Sequence, residues 1–397
     1  MASASSPKGL TLITGATGHV GFRTLVHALR SNLRVRVTVR SEAKAVLLFS
    51  RVCRKLPALN LGVCPTYQSD DACCQSVQLT FTIVPDISLD GAYDKAMDDV
   101  TSVIHIASPL ATGSQTPPIH CNLAESYFIK PAVQGTVSLL EAADRCGSVR
   151  RVVITSSMAA LIPVSQMEGT QPMPSHKSVK PTDRVPFTPG PYHSEFAAYA
   201  NSKIAALEAA ETWYERERPA FDMIHLHPSF VLGRNDMITT TAGCMKGTNA
   251  MVLAMLLGQT FGPFAGATVH VDDVARCHVA AAIDVRGVPG NASYILSQKS
   301  RWNDAKEFAA LAFPKAMQSR VLVQTGNVDT TEMELDISLS EAVFDMRFQS
   351  FSSQVRSLTS QYLALKSDKR RRGEGHCRDI HIQRLQRTMS SQFAVNV

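Results

Sequence analysis

Tyr199 and Lys203 stand four residues apart in the stretch EFAAYANSKIAALEAAETWYERE, which has the composition of a helix. Side chains four residues apart share one helix face, so the phenol and the ammonium can point into the same cavity. A free tyrosine has a pKa of about 10, and lowering it to about 7 takes about 4 kcal/mol of selective stabilisation of the phenolate. A lysine ammonium in a partly desolvated site favours the phenolate. The pair is therefore a candidate general acid with the cation that tunes it.

Two serines follow the apolar run RVVIT and supply a third candidate group. Ser156 and Ser157 come directly after the predicted strand Arg151–Thr155. Ligand-binding groups lie at the carboxyl ends of strands in open α/β sheets. One serine hydroxyl there can donate a hydrogen bond to a carbonyl oxygen that gains negative charge. We favour Ser157, which lies nearer the following MAAL; the alternative is that both serines cap turns or helices.

Three glycines stand at three-residue intervals in TGATGHVG, and we call Gly15, Gly18 and Gly21 the glycine ladder. They follow the predicted strand Leu10–Thr14 and open a helix predicted to start near Val20. Such a turn aims backbone N–H groups and the helix dipole at an anion above the strand. The first glycine permits the tight turn, the second admits a pyrophosphate and the third lets helix and strand pack closely. The ladder predicts a bound dinucleotide.

The residue that follows the second predicted strand selects the nucleotide. Enzymes that prefer NAD place an acidic residue there, about 20 residues beyond the glycines, to bind the ribose 2′-hydroxyl. This chain has Arg40, and Lys44 follows one helical turn later. Both cations suit a 2′-phosphate, so we expect NADPH; the alternative is that they only solvate the start of a helix. Arg34 and Arg36 alternate with valines and are expected on a solvent face.

Apolar runs bounded by turn residues alternate with longer helical patterns through the first half of the chain. This alternation predicts an α/β fold, a doubly wound parallel sheet (Rossmann fold), with a smaller C-terminal substrate lobe. Pro163–Pro191 has no periodicity, and a loop of that length is usually a functional lid or disordered. The predicted strands are Leu10–Thr14, Arg34–Val39, Leu79–Val84, Ser102–Ala107, Arg151–Thr155 and Asp222–His227, and helices are predicted to start near Val20, Ile119 and Phe196.

The sequence pattern also predicts domain boundaries. Residues 9–232 are expected to form the dinucleotide-binding domain and 233–365 mostly the substrate-binding lobe, with 268–283 returning to the first domain as a strand and a helix. Two segments, 62–77 and 366–397, show neither helical nor strand periodicity. Our hypothesis is that one or both are artefacts of the gene model, a retained intron and a misplaced end. The basic 366–397 is otherwise expected to be a disordered tail.

Composition narrows the possible partners and the compartment. The net charge is +6, but eight basic and only three acidic residues lie in 366–397, so the rest of the chain is nearly neutral and no nucleic-acid-binding surface is expected. Nine cysteines without a CxxC pair or a signal peptide indicate reduced thiols in a cytoplasmic protein, and their spacing fits no metal site. No apolar run reaches the roughly 18 residues of a membrane span. The stretch AMVLAMLLG is expected to be a buried helix.

Further motifs accompany these residues in a fixed order. They are TGATGHVG, VRSEAK, PDI at Pro85, VIHIASP at Val103, KPAVQGTVSLLEAA at Lys130, ITSS, YANSK, HPSFVLG at His227 and HVDDVA at His270. Together they resemble the extended short-chain dehydrogenase/reductases, which include the NAD-dependent epimerases and dehydratases. Within that family the chain is similar to the branch of dihydroflavonol reductase, cinnamoyl-CoA reductase and the fungal and yeast aldehyde and ketone reductases. The resemblance covers residues 9–365 apart from the segment 62–77.

This resemblance implies a catalytic trio in which Tyr199 is the general acid, Lys203 holds the nicotinamide ribose and lowers the tyrosine pKa, and Ser157 orients the carbonyl. It places Asp86 and Ile87 beside the adenine, Ala107 and Ser108 beside the dinucleotide, and Pro228 and Ser229 beside the nicotinamide. The full set of residues expected to bind NADPH is Gly15, Thr17, Gly18, His19, Val20, Gly21, Arg40, Lys44, Asp86, Ile87, Ala107, Ser108, Tyr199, Lys203, Pro228 and Ser229.

The chain also departs from its plant relatives. Flavonoid reductases carry an asparagine five residues after the serine, where this chain has Ile162, and cinnamoyl-CoA reductases carry an Asn-Trp-Tyr-Cys-Tyr signature where it has FAAYANSK. Neither plant substrate is therefore supported. Many extended members place an active-site asparagine ahead of the Gly135-Thr136 position, whereas this chain has Pro131-Ala132, so a proton relay through that asparagine is not assumed.

The expected function is an NADPH-dependent carbonyl reductase acting on an aldehyde or ketone of a small, apolar or aromatic molecule, as a monomer or homodimer. The alternatives are a nucleotide-sugar epimerase or dehydratase, and a non-catalytic NADP(H)-binding sensor. Three other polar residues are interpreted as structural: His105 within its strand, and Asp272 and Asp273 as caps of the helix that follows them.

Overall fold

The computed structural model describes residues 9–58, 63–64, 78–110, 124–173, 178–284 and 286–372. Its centre is an eight-stranded sheet in which every neighbouring pair of strands is parallel, in the order β11-β7-β6-β5-β1-β2-β4-β3. The strands are β1 (Leu10–Thr14), β2 (Arg34–Val39), β3 (Val63–Cys64), β4 (Leu79–Ile83), β5 (Val100–His105), β6 (Arg151–Thr155), β7 (Asp222–Pro228), β8 (Phe230–Leu232), β9 (Thr260–Ala265), β10 (Ala267–His270), β11 (Ala292–Leu296), β12 (Gln298–Lys299) and β13 (Asn327–Thr331).

Helices cover both faces of this sheet. They are α1 (His19–Arg30), α2 (Glu42–Lys55), α3 (Asp94–Met97), α4 (Lys130–Cys146), α5 (Val164–Met167), α6 (Glu195–Glu217), α7 (Thr241–Cys244), α8 (Asn249–Leu256), α9 (Val271–Ile283), α10 (Asp304–Ala312), α11 (Pro314–Gln318), α12 (Ser338–Val343) and α13 (Phe351–Arg372). One apolar core joins the sheet to α1, α2 and α9, and a second joins its other face to α3, α4 and α6. Successive side chains of β1 point to opposite faces of the sheet, so Ile13 packs in the first core and Leu12 in the second.

The order of the strands places a crevice above β1. The chain winds outward from β1 through β2 to β4, and then returns to pair β5 on the other side of β1. Ligands of open α/β sheets bind at such a reversal, beyond the carboxyl ends of the strands. The expected doubly wound Rossmann fold is therefore confirmed, and its switch point lies between β1 and β5.

A separate apolar core lies beyond β8. It joins α7, α8, α10 and α13 around Trp302, whose ring is fully buried and whose indole N–H donates to the Phe264 and Ala265 carbonyls. Two small sheets accompany it, β12-β10-β8 and β13-β9. The expected buried helix in AMVLAMLLG is α8. No helix in the described part of the chain has the length and apolarity that crossing a bilayer requires.

The six predicted strands of the first half are present, with small differences at their ends. The third predicted strand stops at Ile83, and the fourth runs over Val100–His105, two residues earlier than predicted. The helix predicted near Ile119 would start outside the described residues, and the described helical chain starts with a π-helical turn, Glu125–Ile129, that leads into α4. Most of 62–77 also lies outside them, although Val63–Cys64 pairs with β4 where no strand was expected.

The C-terminal helix extends past the expected end of the folded chain. α13 continues through Leu365 to Arg372. The ammonium of Lys366 lies 5.8 Å from the centre of the Tyr362 ring, a cation–π contact one helical turn away. The start of the predicted disordered tail is therefore helical, and residues 373–397 lie outside the described residues.

The Arg36 side chain corrects the expectation that it faces solvent. It is 2% exposed, and its guanidinium donates to the carbonyls of Ala96 and Asp98, 2.9 and 2.6 Å away, at the end of α3. A buried arginine is tolerated when backbone carbonyls take its N–H groups, and carbonyls at the end of a helix carry partial negative charge. Alternation in a central strand of a doubly wound sheet thus does not mark a solvent face, because helices cover both faces.

Ion pairs fasten α9 to α1. The Arg23 guanidinium on α1 donates to the carboxylates of Asp272 and Asp236, and His27 lies 3.4 Å from Asp272. Asp272 and Asp273 were expected to cap α9, and this is wrong. The cap is His270, whose Nδ1 accepts the Asp272 backbone N–H at 3.1 Å. Both aspartates lie in the first turn, where the helix dipole favours them, but their side chains face Arg23 and Gln349.

Replacing Asp272 by asparagine should lower the free energy of unfolding by about 1–3 kcal/mol at pH 7, because the Arg23 guanidinium loses one of its two carboxylate partners. Burial disfavours the Asp272 carboxylate, yet hydrogen bonds from His27 and Arg23 outweigh it and hold its pKa far below the usual range. The contribution is thus complete above the unfolded-state pKa of about 3.9 and shrinks as the pH falls below it. Urea unfolding at pH 7, 4.5 and 3 measures this, with the exposed Asp90→Asn as control. An equal difference at all three pH values would contradict it.

Candidate active site

The turn between β1 and α1 has the shape that its glycines predict. Gly15 has a φ of +72°, and a Cβ atom added there would lie 2.7 Å from the Ala107 backbone nitrogen. A Cβ at Gly21 would lie 2.2 Å from the Gly15 carbonyl oxygen, so any side chain there would push α1 off the strand. Gly18 is the N-cap of α1 and carries no side-chain cap, which leaves the first N–H groups of the helix free to bind an anion.

Thr14 holds β5 against this turn. Its hydroxyl oxygen accepts the backbone N–H groups of Ile106 and Ala107, each at 3.0 Å, and lies 2.9 Å from His105 Nδ1. Because that oxygen accepts two N–H groups, its own proton is donated to Nδ1 of a neutral imidazole. Burial, and then the charge of Lys203, lower the His105 pKa to about 3. The histidine thus has the structural role predicted for it, as the partner of the Thr14 hydroxyl that holds Ala107 beside the glycine ladder.

The cations expected to select the nucleotide lie at the end of β2. Arg40 follows β2 directly, Lys44 lies in the first turn of α2, and both side chains are exposed. Across the adjacent strand end, the Asp86 carboxylate accepts hydrogen bonds from the Ser88 hydroxyl and backbone N–H, which lower its pKa, and the charge of Arg40 adds to this effect. Arg40 and Asp86 are therefore neighbours at one rim of the crevice.

Ile87 lies next to this rim and faces α4. A Cβ at Gly135 would come within 3.0 Å of the Ile87 side chain, so the glycine allows α4 to pack on this loop. The Ser138 hydroxyl, on the same helix, donates to the Leu89 carbonyl at 3.0 Å. The loop after β4 is thereby fixed with Asp86 exposed and Ile87 half-buried.

The predicted trio converges at the end of β6. Tyr199 and Lys203 lie on one face of α6, with the lysine Nζ 5.9 Å from the centre of the tyrosine ring. Burial raises the pKa of Tyr199, and a hydrogen bond with the Ser157 hydroxyl opposes that rise. The expected lowering of the phenol pKa is therefore not a property of these residues alone. Ser157, rather than Ser156, is the serine that meets the phenol.

Lys203 is the buried cation of the site. The residue is only 6% exposed, and its Nζ donates a hydrogen bond to the Thr155 carbonyl oxygen at 3.1 Å. Burial lowers the pKa of this ammonium to about 8. Lys203 is thus mostly charged at neutral pH. Because its pKa lies only about one unit above neutral pH, a small change in its surroundings changes the charged fraction.

Ser157 combines both roles considered for the two serines. Its hydroxyl oxygen accepts the Ala159 N–H at 3.1 Å and so caps the short 3₁₀ turn Met158–Ala160. The Ser157 carbonyl lies 3.3 Å from His227 Nδ1, which fixes the backbone beneath the hydroxyl. The Ser156 hydroxyl is buried and has no hydrogen-bond partner among the described residues.

The remaining predicted residues surround the same crevice. His19 lies at the start of α1, and burial lowers its pKa to about 4, while the neighbouring backbone of Arg234 and Gly233 opposes this effect. Its backbone, rather than its ring, is therefore the part that belongs to the anion-binding turn. Thr17, Val20 and Ser108 are partly exposed around the glycine ladder. Pro228 is the buried last residue of β7, and the buried Ser229 follows it and donates to the Leu296 carbonyl.

The surroundings of Tyr199 on its outer side are apolar and aromatic. The ring of Phe196 lies 6.4 Å from that of Tyr199 and 5.3 Å from Phe264 on β9, and Phe230 lies 5.5 Å from Phe264. Ile162 is buried in the cluster that Phe196 and Phe264 cover. The position occupied by a polar asparagine in the plant flavonoid enzymes is thus part of an apolar wall.

Sequence reasoning missed two residues that organise the site. Thr14 braces the end of β5, and Thr155 supplies the carbonyl that binds Lys203. The available signal was that each threonine is the last residue of a predicted strand whose carboxyl end faces the crevice. Thr155 acts through its backbone carbonyl, which every residue type has, so the residue type does not indicate this role.

Comparison with known proteins identifies relatives of this chain. The sequence profile described as "NAD dependent epimerase/dehydratase family" matches residues 11–296. The chain is 38% identical to the protein named Ketoreductase CTB6 of Cercospora nicotianae, over 90% of this chain and 95% of that protein. It is 27% identical to the putative NADPH-dependent methylglyoxal reductase GRP2 of Candida albicans, over 68% of this chain and 73% of that protein.

A solved structure shares the fold. The crystal structure of yeast methylglyoxal/isovaleraldehyde reductase Gre2 complexed with NADPH superposes with a TM-score of 0.72, covering 90% of this chain and 99% of that one at 21% identity. At this identity the likeness concerns the fold. Because the profile spans most of the chain and a fungal relative matches nearly all of it, the chain belongs to the NAD dependent epimerase/dehydratase family, as its motifs predict.

Proposed function

We propose that the protein is an NADPH-dependent carbonyl reductase for an aldehyde or ketone of a small, apolar or aromatic molecule. The observation that carries the proposal is the meeting of Tyr199, Ser157 and Lys203 at the carboxyl end of β6, beside the uncapped turn of the glycine ladder. The names of the relatives, ketoreductase and NADPH-dependent reductase, support the same class of reaction.

The crevice fits a dinucleotide phosphate. The N–H groups at the start of α1 carry no side-chain cap and would bind the pyrophosphate, and Arg40 and Lys44 would bind the 2′-phosphate. Asp86 and Ile87 would flank the adenine, and Pro228 and Ser229 the nicotinamide. When bound, NADPH supplies the hydride that the carbonyl carbon receives.

The chain's own residues position the substrate and move a proton. The Ser157 hydroxyl donates a hydrogen bond to the substrate oxygen, where negative charge develops. The Tyr199 phenol gives its proton to that oxygen and completes the alcohol. The Lys203 ammonium stabilises the phenolate left behind and binds ribose hydroxyls. The apolar wall of Phe196 and Phe264 excludes water and favours an uncharged, apolar or aromatic substrate.

Tyr199→Phe should lower kcat by about 10²–10⁴-fold, because only the acidic proton is removed. Turnover is followed by reduced-nicotinamide absorbance with a panel of aromatic and aliphatic aldehydes and ketones, and NADPH binding by fluorescence. Tyr362→Phe in α13, remote from the trio, is the matched control and should keep activity. A Tyr199→Phe protein as active as the wild type would contradict the assignment of the general acid, and NADPH binding without turnover on any carbonyl would favour the sensor.

Arg40→Ala should weaken NADPH binding by about tenfold and leave NADH binding unchanged, because an exposed guanidinium contributes modestly and only to the 2′-phosphate. Fluorescence titration with both nucleotides measures the ratio of dissociation constants. Arg216→Ala, an exposed arginine at the far end of α6, is the matched control. Equal weakening toward both nucleotides would mean that Arg40 does not read the 2′-phosphate.

The kcat/KM of the carbonyl reduction should fall as the pH rises through about 8, because kcat/KM reports the free enzyme and the Lys203 ammonium then loses its proton. Below pH 8 the lysine is charged and the rate should be level. The profile is measured with NADPH and the carbonyl both well below their KM values, so that the free enzyme is the form that is reported, and NADPH binding is followed across the same range. An alkaline limb that begins only near pH 10 would assign the titration to the phenol and exclude Lys203.

A further inference from the structure

His278 lies on α9, outside every predicted site, and joins that helix to the catalytic strand. It is fully buried, and its Nε2 lies 2.7 Å from the hydroxyl oxygen of Thr155, the last residue of β6. Its Nδ1 lies 2.7 Å from the Val274 carbonyl oxygen, one helical turn earlier. The imidazole therefore has a short contact on each of its two nitrogens.

These partners determine where the protons are. A carbonyl oxygen only accepts, so His278 Nδ1 carries the proton that it donates to Val274. Burial lowers the pKa of His278 to about 4, so the ring is neutral and Nε2 is an acceptor. Thr155 must then donate its hydroxyl proton to Nε2. The threonine hydroxyl is thereby held in one rotamer, on the residue whose carbonyl binds the Lys203 ammonium.

We propose that His278 is a positioning residue of the active site: its neutral imidazole holds Thr155 so that the Thr155 carbonyl stays directed at the Lys203 ammonium. The importance of this carbonyl for turnover rests on the proposed function of Lys203. The contact itself is a property of the folded chain. Since Asp272 in the first turn of the same helix pairs with Arg23, α9 ties the catalytic strand to α1, the helix that follows the glycine turn.

The titratable groups that face the ammonium come from three elements. Tyr199 lies on the same helix, His105 on β5 and His227 on β7, and the charge of Lys203 acts on both imidazoles. Burial holds the pKa of both histidines well below 6.5, so they stay neutral while the lysine titrates. A change in the titration of Lys203 would therefore report its hydrogen bonding rather than a new neighbouring charge.

The test measures the Lys203 titration directly by NMR of lysine-labelled full-length protein without nucleotide or substrate, with the signal assigned by Lys203→Arg. Thr155→Val removes the donor and His278→Leu the acceptor. Either change should lower the Lys203 pKa by about 0.5 unit, because the carbonyl that favours the charged form is less well held. The double variant should lower the Lys203 pKa by no more than either single variant does, since both single variants remove the same Thr155–His278 hydrogen bond.

Three further variants separate positioning from general packing. His278→Gln supplies an amide oxygen for Thr155 and an N–H for Val274. This variant should keep the Lys203 pKa close to the wild-type value. His225→Leu removes another buried imidazole, whose nitrogens have no hydrogen-bond partner among the described residues, and Thr359→Val removes a buried hydroxyl in α13. Both controls should leave the Lys203 titration unchanged. If His278→Leu fails to fold, Thr155→Val still tests the proposal, since valine has nearly the same shape as threonine.

An unchanged Lys203 titration in folded Thr155→Val would overturn the proposal, as would additive shifts in the double variant. In turnover assays the same variants should lower kcat about three- to tenfold with little change in the KM for NADPH, and shift the alkaline limb to lower pH. A wild type without turnover would overturn the proposed function alone. The NMR titration would still decide whether His278 controls the environment of Lys203.

Discussion

The burial of the Lys203 ammonium is the constraint on which the rest of the site depends. A charge removed from water is costly unless polar groups replace the solvent, and here one backbone carbonyl does so without a carboxylate among the groups that shift its pKa. A carboxylate would have tied the cation up in an ion pair and raised its pKa. The carbonyl instead accepts from one of the three ammonium N–H groups and leaves the charge beside the phenol.

The fold explains how so few residues complete this arrangement. Parallel strands deliver their carboxyl ends to a single edge, and β1, β5, β6 and β7 supply the glycine ladder, Ala107, the Thr155–Ser157 segment and His227 there. Helix α6 then adds two side chains from one face. Helix α9 connects the nucleotide end to the catalytic end, through Asp272 at its start and His278 two turns later.

The sequence predicts the elements that depend on local pattern. The glycine spacing, the alternation in the strands and the Tyr199–Lys203 spacing give the Rossmann sheet and the meeting of the trio before any coordinates are known. The errors concern partners that are distant in the chain. Arg36 looked solvent-exposed because its two carbonyl acceptors lie about sixty residues away, and Asp272 looked like a cap because its partner Arg23 is on another helix. The rise in the phenol pKa that burial causes was also not predicted, because burial depends on what packs above Tyr199.

The segment 62–77 contains the two-residue strand β3, which covers part of the edge of β4. Val63 and Cys64 pair with Leu79 and Thr80, so β4 is an interior strand at that end of the sheet. In a shorter splice product that lacked the segment, β4 would become the outermost strand, with its backbone N–H and C=O groups unpaired over those residues. Open edges of this kind recruit further strands, including those of a second molecule. Splicing at this position would thus expose two residues of β4 at the edge of the sheet, while the crevice above β1 and β5 kept its residues.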